Sequence, residues 1–305
     1  RLAAELPKPI CLVWFNEWLE GPGSEIYDRS QKISMFRSMG RCMKAIRAWL
    51  DYYGEAEGRT ADRHPLGDPE AKAAAIAELA KTSDRQVLSE AQSKRLLELY
   101  GVPVNREALA RTVDEAVAHA EALGYPVVLK ADSPDIPHKT EAGVLRLNLR
   151  DAEAVRKAYR EIEDAIGRLK SPVAVNGIVV QEMVAGGTEM MVGASVDPQF
   201  GPLITCGFGG TAVEILGDVQ TRRAPVDVDE AMDMLRSLRG SGLLFGYRNL
   251  SPVDVQSLAQ AVSRISVMIS DLREKVAELD VNPIKISTDR VAAVDALIGL
   301  SSKRH

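Results

Sequence analysis

Between Gly177 and Leu216 the chain runs through four strand-like segments in succession, GIVVQEMV, EMMVGASVD, GPLITCGFGG and TAVEIL, with no helical pattern between them. Helices stand ahead of them. Ser89 with Gln92 makes a capping-box signature for EAQSKRLLELYG, ended by Gly101, and Thr112 with Glu115 repeats it for VDEAVAHAEALG, ended by Gly124. VPV, YPVVLKA and AGVLRLNL read as strands, and DAEAVRKAYREIEDAIGRL as an amphipathic helix. Helices then occupy DEAMDMLRSLR and PVDVQSLAQAVSRISVMI. LDVNPIKI, a hairpin at STDR and VAAVDALIGL close the chain. Helices feeding antiparallel strands in two groups is an α+β order.

The first 54 residues differ. KPICLVWF and KISMF are short strand-like runs, and GRCMKAIRAWLDYY is a helix with Met43, Ile46, Trp49 and Leu50 on one side. Two strands and a helix are too little to close a domain. Residues 1–54 therefore read as the end of an α/β domain, with an exposed apolar patch expected around Trp14, Phe15 and Trp18. Starting at Arg1 rather than Met, the chain is expected to be the C-terminal piece of something longer. The polar run GEAEGRTADRHPLGDPEAK marks 55–83 as a linker, with a short helix at AKAAAIAELAKT, and 84–305 as the second domain. Two domains suit 305 residues, and 46% apolar residues provide ample core. A net charge of −5 argues against a nucleic-acid partner. Cys11, Cys42 and Cys206 form no CxxC and no zinc pattern, which fits a reducing, cytoplasmic setting. No apolar stretch reaches the ~18 residues of a membrane span.

Several residues are placed for chemistry. Lys130 ends an apolar strand, where its ammonium must reach water or meet an anion, such as a nucleotide phosphate. Gln181 and Glu182 end another strand before a short connection, a plain hairpin or a hinge offering backbone groups to a purine edge. Gly207, Gly209 and Gly210 after a strand allow an anion-binding nest or simply a tight turn, and Arg222 and Arg223 follow. Cys206 has no activating base nearby and reads as an inert buried thiol. Asp280 and Asn282 alternate on one strand and share a face, with Asp295 thirteen residues beyond Asn282 on the expected partner strand. Either this is a polar strand face with an Asn-Pro turn, or these oxygens hold Mg2+ together with water and phosphate.

Lys130, the HKTEAGV loop, VQEMVAGGTE, GFGGTAVEILGDVQTRRAPV and ELDVNPI…AAVDAL occur in an order and spacing that resembles the ATP-grasp domain of the NDP-forming acyl-CoA synthetases, relatives of succinyl-CoA synthetase. The resemblance covers roughly Ser89 to Leu297. It implies two α+β subdomains, preceded in 1–54 by the end of a flavodoxin-like CoA-ligase domain. It implies ATP/ADP and Mg2+ as cofactors and a carboxylic acid and CoA as co-substrates. The missing CoA-binding domains would belong to the same polypeptide or a partner subunit, and the protein would be a homo-oligomer. Lys130 would bind the nucleotide phosphates. Glu182, Met183 and Val184 would line the adenine and ribose, and Glu189 would touch the nucleotide. Asn282 and Asp295 would hold Mg2+, Arg223 would face the transferred phosphate, and His138 would accept it. The family's paired glycines after the histidine are here Gly143-Val144. Two other readings stay open at this stage: a direct carboxylate–amine ligase, which would not need His138, and a ligand-sensing module of a protein acetyltransferase.

Overall fold

A computed structural model describes residues 10–14, 18, 21–30, 32–58 (backbone alone beyond 50), 67–82, 86–133, 135–136, 139, 142–169, 173–210, 217–248 and 251–301. The chain divides into two units, Arg1–Arg63 and His64–His305. In the first, β1 (Ile10–Val13) and β2 (Ile33–Phe36) pair in parallel, with Ile10 opposite Ile33 and Val13 opposite Phe36. Helices α1 (Ser24–Asp28) and α2 (Met39–Gly58) accompany them. Met43, Trp49 and Leu50, expected on one apolar side of α2, are exposed within this unit, and so is Trp18. Trp14 lies tilted against Tyr27 with ring centroids 6.5 Å apart. Phe15 falls outside the described residues.

The second unit opens with α3 (Pro69–Ala80), the short helix expected at AKAAAIAELAKT inside the stretch marked as a linker. Asp68 caps it by accepting from the Glu70 N–H at 2.9 Å, and Pro69 suits the first helical position. Ala71, Ala75 and Leu79 form its buried stripe. A face made mostly of alanine, in a run that is alanine on every side, gives little amphipathic contrast in the sequence. Helix α4 (Glu90–Leu99) starts with the expected capping box: Gln92 N–H donates to Ser89 Oγ at 3.4 Å and Ser89 N–H to Gln92 Oε1 at 3.0 Å. VPV is not a strand. Val104 makes only an isolated bridge to Ala293, and β3 (Glu107–Ala110) begins beyond it; Pro103 has no N–H to give a ladder. Helix α5 (Val113–Leu123) has half of its expected box, because the Glu115 carboxylate turns to the Arg111 N–H at 2.7 Å while Thr112 accepts from Glu115 N–H at 3.2 Å.

Strands β4 (Val127–Asp132) and β5 (Leu145–Leu149), helix α6 (Ala152–Gly167) and strand β6 (Gly177–Glu182) complete the first layer. Its sheet has the order β3-β6-β4-β5, antiparallel throughout. Val127, Leu129, Ala131, Ile178 and Val180 pack with α5 and α6 in one core. By strand alternation, Glu107, Val128, Lys130, Asp132 and Gln181 point from the other face.

The second sheet takes β7 (Thr188–Asp197), β8 (Gly201–Phe208), β9 (Val219–Arg223), β10 (Val276–Ile286), β11 (Val291–Ala293) and β12 (Ala296–Leu300). The order is β11-β10-β7-β8-β9, with β12 also on β10. Helices α7 (Val228–Arg236), α8 (Gly242–Phe245) and α9 (Val255–Leu272) lie between β9 and β10 in the chain. Met190, Val192, Ile204 and Val281 of the sheet share a second core with Leu235, Leu258, Val262 and Ile265. Each layer is thus a sheet with helices on one face, the two-subdomain α+β architecture expected. The run TAVEIL (211–216) lies outside the described residues.

Candidate functional site

Lys130 is only 5% exposed, so its ammonium needs a counter-charge. It finds one in Glu90, the first residue of α4, which is 6% exposed. The same carboxylate takes Lys139 Nζ at 2.7 Å, Lys94 Nζ at 2.9 Å and Gln181 Nε2 at 2.9 Å. Lys94, 2% exposed, also donates to Asn105 Oδ1 at 2.6 Å and Glu107 Oε2 at 2.7 Å, and Gln181 reaches that Glu107 oxygen at 2.6 Å. Helix α4 and strands β4 and β6 therefore converge on the Glu90 carboxylate, and β3 joins them through Glu107. Burial pushes the Glu90 pKa up, but Lys130, Lys94 and Lys139 overcome it and hold Glu90 far below the ordinary carboxylate range. Burial also pulls the Lys130 ammonium down, against the attraction of Glu90 and Asp295. At Lys139 burial again lowers, but Glu90 and Asp295 prevail and raise it.

Asp295 brings the expected metal pair to this place. Asn282 N–H donates to the Asp295 carbonyl at 3.2 Å, joining β10 to the break between β11 and β12. Burial raises the Asp295 carboxyl above its usual value, with Lys130 opposing. Asp280 shares the exposed side of β10 with Asn282; it is raised by burial and then by Glu278. No cluster of three or more His, Cys, Asp or Glu ligands occurs among the described residues. Two hard oxygen donors fit Mg2+, which keeps waters and phosphate oxygens in its shell, better than zinc.

Strands β6 and β7 belong to different sheets, so the connection between them, 183–187, is not the plain hairpin but the hinge of the two readings. In it Met183 N–H donates to the Pro126 carbonyl at 3.2 Å. Glu182 is held by Arg106, through its backbone N–H and its Nε, both at 2.9 Å, and by Arg290. Burial would raise the Glu182 carboxyl, yet Arg290 and Arg106 bring it below its usual value. A cavity of about 210 Å3 opens here, lined by Met183, Val184, Gly186, Lys285, Ser287 and Arg290. Larger hollows lie elsewhere, one of 440 Å3 by Lys72 and Asp271 and one of 420 Å3 on the open face of the second sheet. Chemistry rather than size therefore selects the hinge.

Gly209 and Gly210 sit against Glu189 rather than forming an open nest. Gly209 N–H donates to the Glu189 carbonyl at 2.7 Å, and a Cβ on Gly210 (φ +63°) would stand 3.0 Å from the Glu189 carboxylate. Glu189 itself pairs with Lys285 at 3.3 Å, beside the hinge cavity. Arg223 is exposed and not part of this group. Its register through Leu203 and Ser195 leads to Glu278, four residues along β10 from Asn282 and three strands away. At ~3.3 Å per residue and ~4.8 Å per strand, that is roughly 20 Å. His138 lies outside the described residues. Cys206 is fully buried, with a thiol that burial pushes up to about 12, as befits an inert core residue.

Sequence reasoning missed Glu90, Lys94, Arg106 and Arg290. A signal existed for the first two: positions 90, 93, 94 and 97 share one side of α4, and Ser93 and Leu97 are buried. A Glu and a Lys on that side must be paired inside.

The model for the ATP-grasp domain matches residues 79–300. The β subunit of ADP-forming acetate–CoA ligase I from Pyrococcus furiosus is 38% identical over 229 residues, 75% of this chain and 98% of that protein. The ADP-forming acetate–CoA ligase I of Archaeoglobus fulgidus is 36% identical over 283 residues, 90% of this chain but 40% of that protein. Among solved structures, the Candidatus Korarchaeum cryptofilum dinucleotide-forming acetyl-coenzyme A synthetase 1 has a TM-score of 0.65 at 36% identity, covering 75% of this chain and 100% of that one. That structure holds coenzyme A and Mg-AMPPCP, with its phosphohistidine segment pointing towards the nucleotide binding site. The present chain thus spans nearly all of that β subunit and under half of the Archaeoglobus fulgidus protein. Matched by family model, sequence and fold over the same stretch, the chain belongs to the ATP-grasp family, as the nucleotide-binding part of an ADP-forming acid–CoA ligase.

Proposed function

We propose that this chain takes the γ-phosphoryl group of ATP onto His138, for use by CoA-binding domains of the same polypeptide or of a partner subunit in making an acyl-CoA. The observation that carries the reading is the meeting of Lys130, Lys94 and Lys139 with the Asn282–Asp295 pair beside the hinge cavity. Three ammonium groups face Glu90, Glu107 and Asp295, so the charges balance, and Mg2+ on the Asn282–Asp295 pair would tip the place positive for an incoming phosphate. In this reading the adenine enters the cavity along Met183 and Val184, with Glu182 fixed behind it by its two arginines. Glu189 and Lys285 close its far wall, and Gly209 and Gly210 leave room for Glu189.

Lys130 would stand at the β- and γ-phosphates, neutralising oxygens whose charge grows as the phosphoryl group moves in line. Asn282 and Asp295 would hold Mg2+, which supplies charge neutralisation at the same oxygens. One His138 ring nitrogen, unprotonated, forms a bond to the γ-phosphorus as the bond to the bridging oxygen breaks and ADP leaves. The carboxylic acid would then take the phosphoryl group as an acyl phosphate, and the CoA thiol would displace phosphate. Arg223, some 20 Å from the metal pair by strand spacing, would serve a later station of the phosphoryl group and not its departure from ATP. The whole reaction belongs to a homo-oligomeric, cytoplasmic enzyme.

Incubation with γ-32P-ATP and Mg2+ tests this. The native chain is expected to take up acid-labile, base-stable label, and His138→Ala to take up none. A native chain that binds Mg-ATP by calorimetry yet stays unlabelled would refute the phosphohistidine and favour direct transfer or a sensor.

A further inference from the structure

Glu90 touches no expected position of the nucleotide, yet it holds the ammonium groups of Lys94, Lys130 and Lys139 together. Resting on the nucleotide-site reading above, we infer that Glu90 is a positioning residue, a fixed anion that stations Lys130 and Lys139 for the phosphates and stays in place when they arrive. Three features support permanence over displacement.

First, its backbone is set by the Ser89–Gln92 capping box at the start of α4. Second, its donors come from separate elements: Lys94 from α4 itself, Gln181 from β6, Lys130 from β4 and Lys139 beyond it. Losing one would still leave the carboxylate with three. Third, an ammonium has three N–H donors. Lys130 uses one on Glu90 and retains the others for a phosphate. Lys94 and Gln181 are both tied further to Glu107, at 2.7 and 2.6 Å, so the carboxylate is braced from behind. Without Glu90, three ammonium groups would be left close together in a buried place, repelling one another and without a common anchor.

The test compares the affinities of ATP and adenosine, because a residue acting through the phosphate-binding lysines changes only the gain due to phosphate. The ratio of adenosine Kd to ATP Kd, measured by calorimetry and ligand-observed NMR with Mg2+, is expected to fall by about tenfold or more in Glu90→Gln. Adenosine Kd should hold within about twofold, and Glu90→Asp should recover part of the ratio. Because Glu90→Gln alone leaves buried lysines unpaired, the charge-balanced Glu90→Gln/Lys94→Gln variant is measured beside it, with melting curves to show that both fold. The double variant should show the same fall. An unchanged ratio in a folded variant overturns the inference, and a larger one would make Glu90 a competitor of the phosphates instead. If the native chain bound ATP no better than adenosine, the nucleotide-site reading itself would fail, an outcome separate from either.

Discussion

Lys94→Met isolates the energetic role of the buried network from its role at the nucleotide. Methionine nearly matches the lysine stem, so packing is conserved and the change is chiefly one of charge and hydrogen bonding. Lys94 serves Glu90 at 2.9 Å, Asn105 at 2.6 Å and Glu107 at 2.7 Å. Glu90 and Glu107 keep other donors, but Asn105 does not. Its Nδ2 already lacks a partner, and the side chain is 1% exposed, so its amide would be left bare at both ends. Removing one member of a buried charged group costs ~3–5 kcal/mol, and a stranded buried amide about 1–3. Because those two effects overlap, roughly 4 kcal/mol is the expected loss, or a melting point lower by roughly 10 °C in a unit of this size.

Urea unfolding followed by far-UV ellipticity is the assay. Tryptophan fluorescence would miss the event, since Trp14, Trp18 and Trp49 all belong to the first unit. The double variant Glu90→Gln/Lys94→Met should lose less than the two single losses added together, by at least about 1 kcal/mol, because each single change strands the other partner. A Lys94→Met loss below about 1 kcal/mol, the range of an exposed ion pair, would refute the buried-network reasoning.

Two further outcomes follow from the same structure. Asp218→Ala should cost about 2–4 kcal/mol by urea unfolding, since its buried carboxylate accepts the backbone N–H groups of Arg239 at 2.9 Å and Gly240 at 2.8 Å and both would be stranded. Glu90 and Glu182 both have carboxyls lowered from 4.5 on folding. Their stabilisation is full above the unfolded value and is lost as pH falls through the folded values, so melting temperatures measured from pH 6 downward should decline below about pH 5. Glu182→Gln should flatten part of that decline.

Much of the fold could be read from local patterns. The Ser89–Gln92 box and the glycine helix ends stand where spacing put them, because each depends on neighbours a few residues away. Of the four closely joined runs, the first three are strands, but β6 and β7 fall in different sheets, which no local spacing shows. The site was legible in a different sense. Lys130, Gln181, Asn282 and Asp295 stood out as polar residues on otherwise apolar strands, and the structure brings them together. Their organiser did not stand out, because Glu90 meets Lys130 across 40 residues and Gln181 across 91. From sequence alone, Glu90 and Lys94 look like a surface pair one helical turn apart. Arg290 was hidden in the same way, reaching Glu182 across 108 residues from what reads as a plain hairpin turn. Helix α3 was legible as a short helix but not as part of the core, for a local reason: its buried stripe of Ala71, Ala75 and Leu79 hardly differs from its alanine-rich surroundings.

That helix bears on where this chain can be cut. The family match begins at residue 79, and a shortened protein started there would keep every residue assigned to the nucleotide. It would nevertheless discard Ala75 from a core shared with Leu96 and Leu97, the Lys72–Asp271 pair at 3.6 Å and the Asp68 cap, and leave Leu79 at a frayed terminus. The groove so opened would be apolar. A soluble nucleotide-binding fragment should therefore begin ahead of Asp68, and one begun at the motif boundary would be expected to self-associate through the uncovered groove.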